Sequence, residues 1–142
     1  METIRVKALH PDARIPERAT EGATGFDLYA CVKGPIAVGQ EPVRVPTGIA
    51  IETPSGFDVQ IRPRSGLSAQ GVMATLGTID ADYRGELLVT MYVLPYRGPH
   101  VVHNGDRIAQ LVVSQMAGVT LEPAEELSAT VRDTGGHGST GR

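Results

Sequence analysis

One short segment combines basic, hydroxyl and glycine residues in the way that phosphate-binding sites do. Arg64, Ser65 and Gly66 stand together where a short helix is predicted to begin. Backbone N–H groups at a helix start, a hydroxyl and a guanidinium group are all suited to binding an anion. The same residues could also form a solvated loop leading into the helix. The spacing therefore indicates an anion site without identifying its ligand.

Several aspartates lie near glycines, where they could either take part in a reaction or form turns. Asp80 and Asp82 lie in a glycine-bounded segment, and Asp106 follows Gly105. Such residues most often hydrogen bond their own backbone in turns, and the spacing favours that role for these three. For Asp27 a turn role and a functional role are equally compatible with the spacing. A carboxylate can act as a general base when it lies within hydrogen-bond reach of a water.

The other reactive side chains do not point to a second chemistry. The four histidines lack the spacing of a metal site. The Gly-rich tail, residues 133–142, lacks the lysine of a phosphate-binding P-loop. Cys31 is the only cysteine, so no intrachain disulfide can form, which suits a reducing compartment. The chain also starts with a polar segment rather than an apolar signal peptide, and its apolar runs are short. We therefore predict a cytoplasmic protein with no membrane partner.

The elements that must position these residues are predicted to be short strands. Seventeen glycines and ten prolines are spread among runs rich in Val, Ile and Leu, which is typical of an all-β domain. Alternation predicts strands over residues 3–9, 43–45, 49–51, 57–62 and 108–113, a strand buried on both faces over 87–93, and one short helix over 65–70. The net charge of −3 and the low aromatic content argue against a nucleic-acid partner.

Five segments, in order, resemble the motifs of the trimeric dUTPase family. They are residues 23–30, 62–67, 77–85, 105–112 and 132–141. One such motif would be weak evidence, whereas five in family order covering nearly the whole chain are strong evidence. The resemblance implies a distorted β-barrel, or jelly roll, over residues 1–132, and a flexible tail over 133–142 that closes over the active site. It also implies a homotrimer with active sites between subunits.

The reaction that the resemblance implies is Mg²⁺-assisted hydrolysis of dUTP. Water attacks the α-phosphorus, and dUMP and pyrophosphate are released. Such an enzyme keeps uracil out of DNA and supplies dUMP for thymidylate synthesis. Asp80 matches the general base, and Asp27 matches the carboxylate that orders waters on Mg²⁺. Tyr83 matches the ring that packs under the deoxyribose and excludes a 2′-hydroxyl.

The remaining site residues implied by the resemblance bind the substrate. Those that match phosphate-binding positions are Arg64, Ser65, Gly66 and Gln110. Those in the segment that recognises uracil, largely through backbone groups, are Gly77, Thr78 and Ile79. Those in the tail that closes over the substrate are Arg132, His137, Gly138, Ser139 and Thr140. Ordering such a tail costs conformational entropy, so closure is expected to depend on the full triphosphate.

Some positions depart from the family pattern. Ala74 stands where an asparagine is common, and the segment before Gly77 is a couple of residues shorter. His137 replaces the usual phenylalanine of the tail and offers less apolar area for stacking on uracil.

Two other functions fit the same residues less well than dUTP hydrolysis. A deaminase of dCTP with the same fold is disfavoured because Asp80 and Tyr83 stand in the dUTPase form of the third motif. A non-catalytic binder is disfavoured because Asp80, Tyr83, Arg132 and the tail are all retained.

Overall fold

The chain folds almost entirely into short strands, as its composition predicts. The computed structural model describes residues 1–138, 140 and 141. The elements within them are β1 (Arg5–Ala8), β2 (Phe26–Tyr29), β3 (Ile36–Val38), β4 (Val43–Pro46), β5 (Ile49–Glu52), β6 (Phe57–Arg62), α1 (Ser65–Ala69), β7 (Val72–Ala74), β8 (Gly77–Ile79), β9 (Leu88–Val93), β10 (His100–Val102) and β11 (Arg107–Gln115). The all-β prediction is thus confirmed.

The strands form four antiparallel sheets in the described part of the chain. The largest has the order β2-β11-β6-β8, and a second has the order β4-β9-β7. Two pairs, β1 with β5 and β10 with β3, complete the set. Their apolar faces enclose one core that includes Leu28, Val59, Met91 and Ile108. No ladder among the described residues joins these sheets into a closed barrel, so the predicted barrel is present only in its distorted, open form.

Burial follows the alternation of side chains along each strand. In β6, Val59 and Ile61 are buried while their neighbours reach the surface, because successive side chains point to opposite faces of a sheet. In β9 the prediction of burial on both faces is wrong. Only alternate residues such as Met91 are fully buried, and Leu88 is 38% exposed. The reason is that the β4-β9-β7 sheet turns one face to the core and the other outward.

Strand β11 is the central element of the largest sheet. It is longer than the predicted 108–113, since it begins at Arg107 and ends at Gln115. Its Gln110 lies opposite Asp27 of β2 on one side and Arg62 of β6 on the other. Directly opposed residues in an antiparallel sheet point to the same face. The sheet therefore places Asp27, Gln110 and Arg62 in one row.

The single helix, α1, matches the predicted helix over residues 65–70 within one residue. Arg64 is its N-terminal capping residue, with an extended backbone and no side-chain cap. Gln70 is its C-terminal capping residue, and Gly71 follows with a φ of +79°. A left-handed φ of this kind is common just after a helix and is adopted most easily by glycine.

Beyond β11 the described chain continues without helix or strand. Exposed apolar side chains recur there, including Val119, Leu121 and Leu127. Irregular chain therefore starts well before residue 133, and the division into a domain over 1–132 and a tail over 133–142 stays a prediction. Across residues 1–138, 140 and 141, no helix has the length and apolar character needed to cross a membrane.

Candidate active site

Asp27 lies at the centre of the polar row on the largest sheet. It belongs to β2, so it is a strand residue and not the turn residue that spacing allowed. Its backbone N–H donates to the carbonyl of Glu17 at 2.7 Å, which fixes the main chain at this point. Its side chain is only 14% exposed. A carboxylate with so little exposure to water needs charged or hydrogen-bonding groups nearby.

Two guanidinium groups flank this carboxylate. Arg64 Nε lies 3.7 Å from Oδ1 of Asp27, and Arg107 Nη1 lies 3.7 Å from Oδ2. Arg64 Nη1 also donates to the carbonyl of Arg107 at 3.1 Å, which joins the α1 start to the first residue of β11. Two positive groups around one negative group leave a local excess of positive charge. Such a cluster is suited to an anionic ligand.

Arg107 is a functional candidate that the sequence reasoning missed. The segment around it was interpreted as a turn, because Gly105 and Asp106 precede it. The turn ends at Asp106, whose backbone N–H donates to the carbonyl of His103, and the strand begins one residue later. Extending the apolar run of β11 back by one residue would have made Arg107 a strand residue, but its position opposite Tyr29 follows only from the pairing of β2 with β11.

Gln110 connects the second and fourth predicted motifs directly. Its Nε2 donates to the carbonyl of Pro63 at 3.0 Å. A side chain at Gly25 would overlap Oε1 of Gln110, so this glycine leaves the space that Gln110 fills. Ser65 and Gly66 begin α1, and the first N–H groups of a helix have no intrahelical acceptor. These donors and Gln110 therefore come from neighbouring parts of one surface.

A cavity of about 660 Å³ opens beside the two arginines. The side chains that line it are mainly basic or polar: Arg14, Tyr29, Arg64, Leu67, His100, Asp106, Arg107 and Ile108. The guanidinium of Arg14 stacks 4.1 Å above the Tyr29 ring. Burial and then the nearby Arg97 guanidinium lower the pKa of His100 from its ordinary value of 6.5.

The third predicted motif forms a separate, smaller cavity of about 270 Å³. The residues that line it are Ile61, Gly77, Thr78, Ile79, Asp80, Tyr83, Glu86, Leu87 and Leu88. Asp80 and Tyr83 lie in one turn, in which the Tyr83 N–H donates to the Asp80 carbonyl at 3.0 Å. The Tyr83 hydroxyl donates to the Glu86 carbonyl at 3.0 Å, and a side chain at Gly85 would overlap that hydroxyl.

The segment before this turn differs from a simple hairpin. Strands β7 and β8 follow one another, but β7 pairs with β9 and β8 pairs with β6. The chain therefore crosses between two sheets at Thr75 and Leu76, directly after Ala74. Thr78 is fixed through its hydroxyl, which donates to Oε1 of Gln60 at 3.1 Å. The backbone of Gly77 to Ile79 is thus held at the sheet edge.

The two cavities divide the predicted site residues into two groups. Arg64 lines the first, with Asp27 beside it and Gln110 opposite Asp27 in the sheet, whereas Asp80 and Tyr83 line the second, and the two cavities share no lining residue. The two groups therefore lie at separate places on the surface of one chain.

The predicted tail residues form a third group. Arg132 Nε donates to the Gly135 carbonyl at 2.7 Å, and His137 has a left-handed φ of +45°. Arg132, His137, Gly138 and Thr140 are exposed. Ser139 lies outside the described residues. The hydrogen bonds found in the described part of 130–141 join tail residues to one another.

Comparison with known proteins identifies the family. The dUTPase family model matches residues 11–141. The chain belongs to the dUTPase family. The deoxyuridine 5'-triphosphate nucleotidohydrolase of Syntrophotalea carbinolica is 48% identical over 146 residues, covering 98% of this chain and 97% of the relative. The resemblance found in the five motifs is thereby confirmed.

Solved structures show that the dUTPase fold extends over the whole chain. Staphylococcus bacteriophage 80alpha dUTPase with dUPNHPP is similar with a TM-score of 0.87 and 27% identity, covering 100% of both chains. A single-site mutant of the dUTPase from phage phi11 of S. aureus, described for its coordination of a structural Mg(II) ion, has a TM-score of 0.78. It is 24% identical over 90% of this chain and 100% of that chain, which supports the fold.

Proposed function

We propose that this dUTPase hydrolyses dUTP to dUMP and pyrophosphate at sites shared between the chains of a homotrimer, with Mg²⁺ as its cofactor. The observation that carries the proposal is the arginine-flanked carboxylate of Asp27, which lies beside Gln110 and the start of α1. That cluster supplies the positive charge and the directed donors that a triphosphate needs. The base group and the phosphate-binding group come from different chains.

The phosphate chain of dUTP binds to the first group of residues. Arg64 and Arg107 neutralise charge, and Ser65 and Gln110 donate hydrogen bonds. A Cβ at Gly66 would meet no heavy atom of the described chain within 4 Å, so the surface above the helix start is open to a ligand. Donors that are already in place before the substrate binds stabilise charge that develops on the leaving group.

The residues present fit a hydrated Mg²⁺ that arrives with the substrate. The two carboxylate oxygens of Asp27 face their arginines at 3.7 Å, which is too long for hydrogen bonds and leaves lone pairs free to accept from metal-bound waters. Mg²⁺ usually keeps several waters and binds mainly through substrate phosphates. When bound, it neutralises charge on the triphosphate and stabilises the leaving pyrophosphate. Asp27 thus holds the ion through water.

The second group of residues binds the nucleoside and activates water. Asp80 orients a water molecule and takes its proton as that water attacks the α-phosphorus. Uracil binds along the backbone of Gly77, Thr78 and Ile79. Tyr83, which is 44% exposed, packs under the deoxyribose, where a 2′-hydroxyl would collide with its ring.

Other chains complete each site. The 270 Å³ cavity of one chain is smaller than the roughly 300–1,000 Å³ typical of ligand pockets, which favours a pocket closed by a neighbour. The apolar side chains of Val119, Leu121 and Leu127 are exposed in the single chain, as expected for a segment that packs on another subunit. The tail residues Arg132, His137, Gly138, Ser139 and Thr140 then close over the substrate. Cytoplasmic location stays a prediction from the single Cys31.

A substrate panel and one pair of variants test the function. Pyrophosphate release should be fast with dUTP and very slow with dTTP, dCTP and UTP, and ammonia should not be released from dCTP. Asp80→Asn should lower kcat roughly 10²–10⁴-fold, the range for loss of a general base. Asp82→Asn is the matched control in the same turn and should keep kcat near wild type. Near-normal turnover by Asp80→Asn would move the base role to another residue.

A further inference from the structure

The loop between β8 and β9 sets where Asp80 and Tyr83 point. Its end is fixed in the core, because Leu87 is 1% exposed and its N–H donates to the Ile49 carbonyl at 2.9 Å. Nearby, Glu86 Oε2 accepts from the Gly48 N–H at 2.9 Å. The turn that contains Asp80 and Tyr83 lies before these anchors and is exposed or partly exposed. Its shape depends on contacts made within the loop.

Arg84 makes two of those contacts, and Tyr83 makes two others. Arg84 Nη1 donates to the carbonyl of Ala81 at 2.6 Å and to the carbonyl of Tyr83 at 3.1 Å. Its Nε lies 3.7 Å from Oε1 of Glu52 at the end of β5. The guanidinium therefore holds two carbonyls of the turn together and connects the turn to a strand of another sheet. A planar guanidinium can direct several donors at once, which an ammonium group on a flexible stem does less well.

The Glu52 carboxylate also forms an ion pair with a second arginine. Arg5 Nη1 of β1 lies 3.0 Å from Oε2 of Glu52. The side chains of Arg84 and Glu52 are 51% and 47% exposed, and exposed ion pairs contribute little to folding stability. Arg84 is therefore expected to affect the geometry of the turn far more than the stability of the fold. Arg5 shares its partner, but among the described residues its side-chain hydrogen bond goes to Glu52 and not to a carbonyl of the turn.

We propose that Arg84 is a positioning residue for the reaction and for sugar selection. By holding the Ala81 and Tyr83 carbonyls, it fixes the direction of the Asp80 carboxylate and of the Tyr83 ring. The inference rests on the proposed roles of Asp80 as base and Tyr83 as the sugar contact. A displacement of about 1 Å can cost roughly 100-fold in rate even when it arises away from the reacting atoms.

Arg84→Gln and Arg5→Gln form a matched pair that isolates this role. Each removes one guanidinium from Glu52, but only the first releases the turn. Arg84→Gln should lower kcat for dUTP roughly 10- to 100-fold, narrow the dUTP-to-UTP ratio of kcat/KM, and speed amide hydrogen exchange within residues 80–86. Arg5→Gln should change none of these. Arg84→Lys should recover only part of the loss, because lysine lacks the planar fork.

The outcomes separate a failure of this inference from a failure of the proposed function. Asp80→Asn and Tyr83→Ala are measured alongside. If those two variants keep wild-type kcat and sugar selectivity, the proposed roles of Asp80 and Tyr83 fail. If they behave as expected while Arg84→Gln retains kcat, the dUTP-to-UTP ratio and local exchange, the positioning role is overturned. The positioning role would also be overturned if amide hydrogen exchange in Arg84→Gln became faster across the whole chain and Arg84→Lys lost as much kcat as Arg84→Gln. That result would indicate a general folding role.

Discussion

Replacing Gly25 with alanine should disable the phosphate-binding group without unfolding the protein. The new methyl group would overlap Oε1 of Gln110 and lie 3.0 Å from both Cβ and Cδ of that residue. The amide end can swing away, but Cβ is fixed on the backbone of β11, so β2 and β11 must also separate slightly. Gln110 would then lose its hydrogen bond to the Pro63 carbonyl.

The size of the effect follows from the bonds that are lost. The lost hydrogen bond contributes about 0.5–1.5 kcal/mol to stability and the steric strain of the added methyl group costs about 1–3 kcal/mol, so the free energy of unfolding of Gly25→Ala should fall by about 2–4 kcal/mol. A hydrogen bond to a charged phosphate contributes about 1.5–3 kcal/mol, which corresponds to a loss of roughly 10- to 100-fold in kcat/KM. The protein should therefore stay folded while its activity falls, because a domain has about 5–15 kcal/mol of stability.

Two measurements with one control check this expectation. Urea unfolding gives the stability, and pyrophosphate release from dUTP gives kcat/KM. Gly22→Ala is the matched control, because a Cβ there meets no heavy atom within 4 Å and the residue lies in the same connecting segment. It should resemble wild type in both assays. Wild-type kcat/KM in Gly25→Ala would show that Gln110 does not bind the phosphates, and the reasoning from its placement would be refuted.

Three further results are expected. EDTA should abolish most dUTP turnover and added Mg²⁺ should restore it, and full turnover after exhaustive chelation would contradict metal dependence. The Asp80→Asn variant and a chain truncated after Val131 should each be inactive. Refolding an equal mixture of the two should restore about a quarter of wild-type activity if sites act independently in a closed trimer. Inactive trimers that are confirmed to contain both chains would exclude shared sites. Burial lowers the pKa of folded His100, so the unfolded state binds more protons and stability should fall as pH drops below about 6.5. His100→Gln should weaken that dependence in urea unfolding, and an unchanged pH profile would show that His100 does not contribute to it.

Local patterns in the sequence predicted the elements whose own residues determine them. Alternation identified β6, and the glycine and proline between Val45 and Ile49 separated β4 from β5 as expected. Strand β2 was not predicted, because it is four residues long and contains Asp27, so its signal is equally typical of a turn. Strand β8 is shorter still and begins with Gly77. Both are strands because β11 and β6 pair with them.

The arrangement of the candidate site depends on pairing that spacing along the chain does not reveal. Asp27 and Gln110 are far apart in sequence and meet only because β2 lies next to β11. Family resemblance supplied the predicted roles of these two residues, whereas the contact of Asp27 with Arg107 came from the structure. Arg84 likewise stands within a predicted motif, but its contact with Glu52 joins two sheets. Residues that act through others are therefore the hardest to identify from sequence.

The glycines of the motifs show which parts of the site a single chain completes. Gly25 is required by Gln110, and Gly85 is required by the Tyr83 hydroxyl, so packing within one chain accounts for both. Gly66 differs, since a Cβ there would meet no heavy atom of the described chain within 4 Å. Gly66 lies in the first turn of α1 and its φ is not left-handed, so neither packing nor backbone conformation within the described chain requires a glycine there. A ligand or another chain that approaches the backbone at the helix start would account for it. This is the position at which the triphosphate is proposed to bind, so the proposed function would account for a motif glycine that the fold of one chain leaves unexplained.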